Sequence, residues 1–285
     1  MIVVTGATGH IGGELVRLLS DKGVTLRAVT RDPRRTPPLP GVAWVQADLR
    51  DARSLRDVFL GAETMFLLTS NAEDMGTLQR NAIEAAGSAG VAYVVKGSAL
   101  GASSRSRSPI GRSHYEVETV LQGSGMAWAI LRPHVFMQNL LDAAPTIARE
   151  GTVRAASGEG KIPFIDAKDI AAVAAAVLTT PGHQSRKYVL TGPEALSYGD
   201  VARILSEATG RRVEYAAESA EGAEARLVAE GASRWMIESA LALAAYQREG
   251  GPTAVVSPAV KEILGRPPRS FREFVRDHVS AFRGA

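Results

Sequence analysis

Apolar residues along the first half of the chain follow two alternating rhythms. Short runs rich in β-branched residues, at 2–4, 26–29, 42–45, 64–68, 91–95 and 128–131, are separated by stretches with apolar positions at helical spacing. Ile11, Leu15, Val16, Leu18 and Leu19 mark one helix face. Leu55, Val58 and Phe59, in a helix led by Asp51, mark a second, and Leu78, Ile83 and Ala86 a third. Segment 113–122 predicts a fourth helix before the last of these strands. Runs that are apolar throughout belong to strands buried on both faces, and their alternation with helices builds a parallel sheet. The pattern predicts a Rossmann-type, doubly wound α/β sheet over residues 1–150.

Beyond residue 139 the rhythm breaks. Short strands are expected at 151–155, 162–165 and 187–190, and helices at 217–230, at 233–249 and around Phe271, Phe274 and Val275. Ser197 followed three residues later by Asp200 is a helix-capping signal. Residues 151–285 therefore read as a smaller, mostly helical lobe over the carboxyl edge of the sheet, with some segments returning to the sheet domain. Two loops stand out. Segment 31–40 holds too many prolines to be helical, and 103–109 is polar, basic and placed after the fifth strand, where a lid over a ligand would lie.

The first predicted strand runs directly into Gly6-Ala7-Thr8-Gly9-His10-Ile11-Gly12, which opens a helix. The first glycine permits the tight turn, the second lets a pyrophosphate approach the backbone, and the third allows helix and strand to pack closely. Free N–H groups at the helix start, from Thr8 through Gly12, favour an anion. The end of the second strand selects the nicotinamide cofactor. Arg31, with Arg34 and Arg35 beyond it, suits a 2′-phosphate better than Asp32 suits a ribose diol, so NADP(H) is expected. Asp48 and Leu49, after the third strand, are placed to flank the adenine. Thr69 and Ser70 end the fourth strand near the nicotinamide-side ribose.

Composition narrows the chemistry. The 285 residues contain no cysteine, which excludes thiol nucleophiles, disulfides, zinc–thiolate sites and Fe–S clusters. The histidines show no ligand spacing, so no metal site is expected. Thirty-three basic residues against 30 acidic ones leave +3, too small a surplus to imply nucleic acid. No basic start followed by an apolar core opens the chain, and no apolar run has membrane-spanning length. A cytoplasmic protein with no membrane partner is expected.

Several segments resemble the NmrA-like family of atypical short-chain dehydrogenase/reductases. They are the GxxGxxG turn, Val29-Thr30-Arg31-Asp32-Pro33, the run from Ser124-Gly125 through Leu131-Arg132-Pro133 to Phe136-Met137-Gln138-Asn139-Leu140, and Phe164-Ile165-Asp166 with Asp169-Ile170-Ala171. The resemblance implies that Pro133 borders the nicotinamide and that Phe136 and Asn139 begin the substrate wall. His134, beside that position, is a second proton-donor candidate. The family includes NAD(P)H-dependent quinone and azo reductases, secondary-metabolite reductases, and proteins that bind NADP only to sense redox state.

Typical short-chain reductases carry Tyr-x-x-x-Lys on the helix after the fifth strand, but here the residue four beyond Tyr115 is Thr119. Ser113 and Glu116 form a plausible capping box that puts His114 in the first turn. His114, Val117, Glu118 and Leu121 share one helix side, so His114 and Glu118 occupy the usual Tyr/Lys places, as is common in the family. A histidine there donates a proton or hydrogen-bonds a quinone oxygen, with Glu118 raising its pKa. Ser98 ends the fifth strand where short-chain reductases often keep a substrate-polarising serine, and the resemblance implies that it orients a carbonyl, the alternative being that it simply ends the strand. Lys96, at a buried strand end, needs a partner or an exit to solvent. Three readings follow. The chain is an NADPH-dependent reductase of a flat, conjugated acceptor such as a quinone or azo compound; a non-catalytic NADP sensor with a protein partner; or a secondary-metabolite reductase, epimerase or dehydratase.

Overall fold

A computed structural model describes residues 1–55 and 57–283. In chain order the elements are β1 (Ile2–Val4), α1 (His10–Asp21), β2 (Leu26–Thr30), β3 (Val42–Gln46), α2 (Ala52–Leu55), β4 (Thr64–Leu67), α3 (Met75–Ser88), β5 (Tyr93–Gly97), α4 (Pro109–Gln122) and β6 (Ala127–Pro133). There follow α5 (Asn139–Glu150), β7 (Thr152–Ala155), α6 (Ala167–Thr179), β8 (Arg186–Leu190), α7 (Tyr198–Thr209), β9 (Glu214–Ala217), α8 (Ala220–Ala229) and α9 (Arg234–Glu249). The chain closes with α10 (Ala259–Leu264), α11 (Phe271–Asp277) and α12 (Val279–Arg283).

The chain divides into two compact units. The first holds Met1–Ser106, Ile110–Pro133 and Ile170–Val189, the second Arg107–Pro109, His134–Asp169 and Leu190–Ala285. The division expected at residue 150 thus falls at Pro133, where β6 ends, and α5 belongs to the second unit.

In the first unit a seven-stranded sheet has the order β3-β2-β1-β4-β5-β6-β8. Its pairs from β3 to β6 run parallel, with Val4 facing Ala28 on one side and Phe66 on the other. All three residues of β1 are buried, as a strand covered on both faces requires. The strand order reverses between β1 and β4, and the crevice beyond their carboxyl ends is where such sheets bind ligands. The helix expected after Asp51 is a single turn. Leu55 enters the core from it, while Val58 and Phe59 enter from the turns that follow; Arg56 lies outside the described residues.

The second unit has its own core, built from Met137, Leu140, Ile147, Phe164, Leu205, Phe271 and Phe274 among others. β7 pairs in parallel with β9, a strand the sequence pattern did not predict, and the helix expected at 217–230 begins only at Ala220. The expected strand at 162–165 is reduced to isolated bridges, Phe136 to Ile165 and Ile162 to Leu196. The α7 cap forms as read: the Ser197 hydroxyl accepts the Asp200 N–H at 3.1 Å, and the Asp200 carboxylate accepts the Ser197 N–H at 3.2 Å. Among the described residues no helix is long and apolar enough to cross a membrane, and no group of three or more His, Asp or Glu could hold a metal.

Candidate active site

The glycine turn leaves β1 under strict geometric control. The Thr5 hydroxyl donates to the Leu68 carbonyl at 2.8 Å and accepts the Leu68 N–H at 2.9 Å, which locks the ends of β1 and β4 together. Gly6 then adopts φ +63°, and a Cβ there would lie 2.8 Å from the Leu68 oxygen. At Gly12 a Cβ would lie 2.1 Å from the Gly6 oxygen, so only glycine lets α1 pack against its own entry turn. Gly9 differs. A Cβ there would meet nothing closer than the Gly6 oxygen at 3.5 Å, an ordinary contact. Packing therefore does not demand glycine at position 9. No side chain caps α1, its first turn holds no acid, and Thr8, Gly9 and His10 are exposed. Free N–H groups and the positive end of the helix dipole are thus open to an anion, and Ile11 anchors the turn in the core.

The loop after β2 sorts its charges. Asp32 caps a short 3₁₀ turn by accepting the Arg34 N–H at 3.2 Å, and pairs with the Arg34 guanidinium at 2.9 Å. Hydrogen bonding from Arg34 holds the Asp32 carboxyl below its usual range. The one acid that could take a ribose diol is committed. The exposed guanidinium groups of Arg31 and Arg35 make no hydrogen bond or ion pair among the described residues. Asp48 accepts the Arg50 N–H at 2.9 Å, and the Leu49 carbonyl accepts from Asn81 at 2.9 Å, which fixes the turn after β3. The Thr69 hydroxyl accepts from buried Gln79 at 2.8 Å, leaving its own hydrogen for another partner, while Ser70 is exposed. Turn, free N–H groups and unpaired arginines together fit a dinucleotide bearing a 2′-phosphate. Arg31→Asp should weaken NADPH binding by about 10- to 100-fold, the worth of one charged hydrogen-bonded contact, and leave NADH binding almost unchanged. Fluorescence titration of both cofactors checks this, and an unchanged preference would remove Arg31 from the site.

At the ends of β5 and β6 polar groups are buried in a linked cluster. Lys96, fully buried, donates to the Gly97 carbonyl at 3.0 Å and contacts His114 Nδ1 at 3.0 Å. Glu118, also fully buried, accepts from Ser98 at 2.6 Å, from Arg132 at 2.9 and 2.5 Å, and from Lys187 at 3.1 Å. The helical geometry is as expected, with His114, Val117, Glu118 and Leu121 buried and Tyr115 and Thr119 exposed. The helix itself begins earlier. Its first residue is Pro109, so Ser113 is no cap and the box with Glu116 does not form. Residues 103–108 of the expected loop are turns and bends leading to it, with Arg107 forked onto Glu249 at 2.6 and 2.8 Å.

Two expected roles change. Glu118 does not reach the imidazole, since its oxygens are filled by Ser98, Arg132 and Lys187. Burial, and then the Lys96 and Arg132 charges, push the His114 pKa well below its usual value rather than raising it. Ser98 gives its hydrogen to Glu118, so its donor is not available to polarise a carbonyl. The link between Lys96 and His114, 18 residues apart, was invisible in the sequence. Arg132 did leave a signal, as a charge inside an otherwise apolar strand. Lys187 left none.

In the second unit, His134 is buried with both ring nitrogens engaged. Nδ1 accepts the Val135 N–H at 2.7 Å, so Nε2 carries the hydrogen and donates to the Thr253 carbonyl at 3.0 Å. Burial lowers its pKa to about 4, and it has no free proton to give. Phe136 and Asn139 line a cavity of about 330 Å³ together with Phe164, Tyr198, Arg154 and Arg226. Pro133 ends β6, its carbonyl accepting the Leu100 N–H at 3.1 Å.

A parallel sheet reversing at β1 and β4, with a glycine turn at the switch point, defines a nucleotide-binding reductase fold of the short-chain type. A model of the NmrA-like family matches residues 1–274, and the chain belongs to this family. The chain is 39% identical over 287 residues to an NAD(P)H azoreductase of Xenophilus azovorans, with all of both chains covered. It is 35% identical over 283 residues to a (4-alkanoyl-5-oxo-2,5-dihydrofuran-3-yl)methyl phosphate reductase of Streptomyces griseus, covering 99% of each. The NADPH complex of an NADPH-dependent quinone oxidoreductase from Escherichia coli superposes with a TM-score of 0.89. That match spans 98% of this chain and 100% of the other at 28% identity.

Proposed function

We propose that this protein is an NADPH-dependent oxidoreductase that reduces a small conjugated acceptor, a quinone or an azo compound. The observation that carries the cofactor half is the pairing of an uncapped glycine turn with unpaired Arg31 and Arg35 beside an already neutralised Asp32. The acceptor half follows the azoreductase and quinone oxidoreductase relatives. When bound, NADPH supplies a hydride and hence both electrons. The rest falls to the chain. The turn from Gly6 to Gly12 holds the pyrophosphate, Arg31 and Arg35 the 2′-phosphate, Asp48 and Leu49 the adenine end, and Thr69, Ser70 and Pro133 the nicotinamide end. Phe136 and Asn139 belong to the acceptor's wall.

Reducing a quinone oxygen or azo nitrogen also consumes a proton, and His114 is the group placed to hydrogen-bond that atom. Its Nδ1 is taken by Lys96, whereas its Nε2 makes no hydrogen bond among the described residues. Ser98 and Glu118 act as positioning residues, fixing Arg132 beside the imidazole. A donor left open in this way favours catalysis over a purely sensing role. The same reading places the protein in the cytoplasm with a small aromatic substrate as its partner, and invokes no nucleic acid, membrane or obligate protein partner.

NADPH oxidation assayed against quinones, azo dyes and simple ketones tests the proposal. Turnover with the first two classes is expected, and cofactor binding without turnover of any acceptor would instead establish a sensor. His114→Ala should lower kcat by about 100-fold or more, the usual contribution of a positioned acid, with NADPH affinity unchanged.

A further inference from the structure

Lys96 has no part in the reaction as derived so far, yet it is a fully buried ammonium-bearing side chain aimed at the proposed donor. An ammonium group has hydrogens to give and no lone pair. At 3.0 Å from His114 Nδ1 it must therefore be the donor of that bond, which fixes the ring as the Nε2–H tautomer. A difficulty then arises for His114 alone. Once Nε2 gives up its hydrogen, the ring is an anion unless Nδ1 gains a proton at the same moment. The ring cannot store one beforehand as imidazolium, because its site is buried and already faces Lys96 and Arg132.

We propose that Lys96 supplies, through the His114 ring, the proton that accompanies hydride transfer, so that the imidazole is a relay and not a reservoir. The inference rests on the reductase reading above and names the source of its proton. The balance closes. The His114 Nε2–H bond breaks as the acceptor's oxygen or nitrogen takes the proton. A Lys96 Nζ–H bond breaks as Nδ1 takes its proton, leaving a neutral amine and a neutral imidazole. Both electrons of the reduction arrive with the hydride. Recovery is the reverse path, in which solvent reprotonates Nε2 and Nδ1–H returns its proton to Lys96, so a buried lysine needs no channel of its own.

The surroundings suit this role. Lys96 lies on β5, facing His114 and Glu118 of α4 and Arg132 of β6, while Lys187 of β8 reaches the same carboxylate. Burial, aided by Arg132 and opposed by Glu118, brings the Lys96 ammonium down to about 7. A group poised there gives and regains a proton near neutrality, as an efficient acid must. Lys96 touches no substrate and acts through His114.

The test joins kinetics to spectroscopy. Wild-type kcat with a quinone or azo acceptor should fall as pH rises through about 7, because the protonated lysine is the active form. Lys96→Met should lower kcat by about 100-fold, abolish that alkaline limb and leave KM for NADPH unchanged. Lys96→Arg keeps the charge and the donors but does not release a proton near neutrality, so it should fail to restore the rate. If either variant does not fold, ¹⁵N NMR of the wild-type histidines, assigned with His114→Asn, decides. His114 should remain a neutral imidazole throughout the pH range in which Lys96 titrates, and its shifts should move once, with Lys96. Imidazolium at His114 in that range, or a Lys96→Met or Lys96→Arg enzyme with wild-type rate and pH profile, would overturn the relay alone. Absence of turnover with every acceptor would overturn the reductase reading itself.

Discussion

Gly9→Ala should leave thermal stability close to wild type while weakening NADPH binding by about tenfold or more, whereas Gly12→Ala should damage both. The contrast follows from two small distances. At Gly9 the added carbon meets the Gly6 oxygen at 3.5 Å and nothing else, so the protein has room for it. Its cost to the fold is that of a poor helix cap, within about 1 kcal/mol. In the proposed site the carbon nevertheless occupies the surface that the pyrophosphate approaches. At Gly12 the carbon would sit 2.1 Å from the Gly6 oxygen and 2.7 Å from the Gly6 carbonyl carbon. Both are backbone atoms that cannot rotate away. The start of α1 must shift off the turn, costing about 1–3 kcal/mol as overpacking does and misplacing every N–H that would face the phosphates. Thermal melts and cofactor titrations on the two variants separate these effects. Equal melting temperatures would show that the close packing at Gly12 is not what the geometry states.

Removing the Glu118 carboxylate should be the most destabilising change in the first unit. The carboxylate is fully buried and answers Ser98, Arg132 and Lys187 at once. Glu118→Ala strands two cations and a hydroxyl, and the loss of one partner from a buried ion pair costs about 3–5 kcal/mol. Arg132 and Lys187 retain some exposure, with side chains 20% and 35% accessible, so the lower end of that range is expected. The acid behaviour has a definite sign. Burial alone would raise the Glu118 pKa, but Arg132, Ser98 and Lys187 outweigh it and hold the value below the ordinary one. A carboxyl with a depressed folded pKa lends stability above its unfolded pKa, about 4.3, and loses it as the pH falls through the folded value. Urea unfolding of wild type should therefore show a steeper decline below about pH 4 than that of Glu118→Gln. Identical pH dependence in the two proteins would mean that the carboxylate is not stabilised as the contacts imply.

Local signals read well from the residues and distant ones poorly. The glycine turn was legible because strand, turn and helix follow one another within a dozen residues. The α7 cap at Ser197 and the start of α9 after Ser233 were legible for the same reason. β9 was not, because Glu214–Ala217 is short, half exposed, and defined by pairing with β7 some 60 residues earlier. The early start of α4 carried an unused local signal, a proline at the first helical position. Arg31 and Arg35 could be named, but the pairing of Arg34 with Asp32 that leaves them unengaged needed the loop's shape. At the proposed donor the helical face was right and the neighbours were wrong. Periodicity put His114 and Glu118 on one side, and only the fold showed that Glu118 serves Arg132 and that Lys96 serves His114.

The composition of the first unit sets the order in which the protein can be made. Its sheet draws on residues near the amino terminus and on β8, which is complete only at Leu190. A chain emerging from the ribosome with residue 150 just exposed has β6 without its outer neighbour and α6 not yet released from the exit tunnel. Its unpaired edge is open to other strands throughout that interval. A fragment cut at residue 150 carries the entire glycine turn but keeps that vulnerable edge permanently. Such a fragment should aggregate rather than bind cofactor. A portable nucleotide-binding module from this chain must carry residues 170–189 along with the first 133.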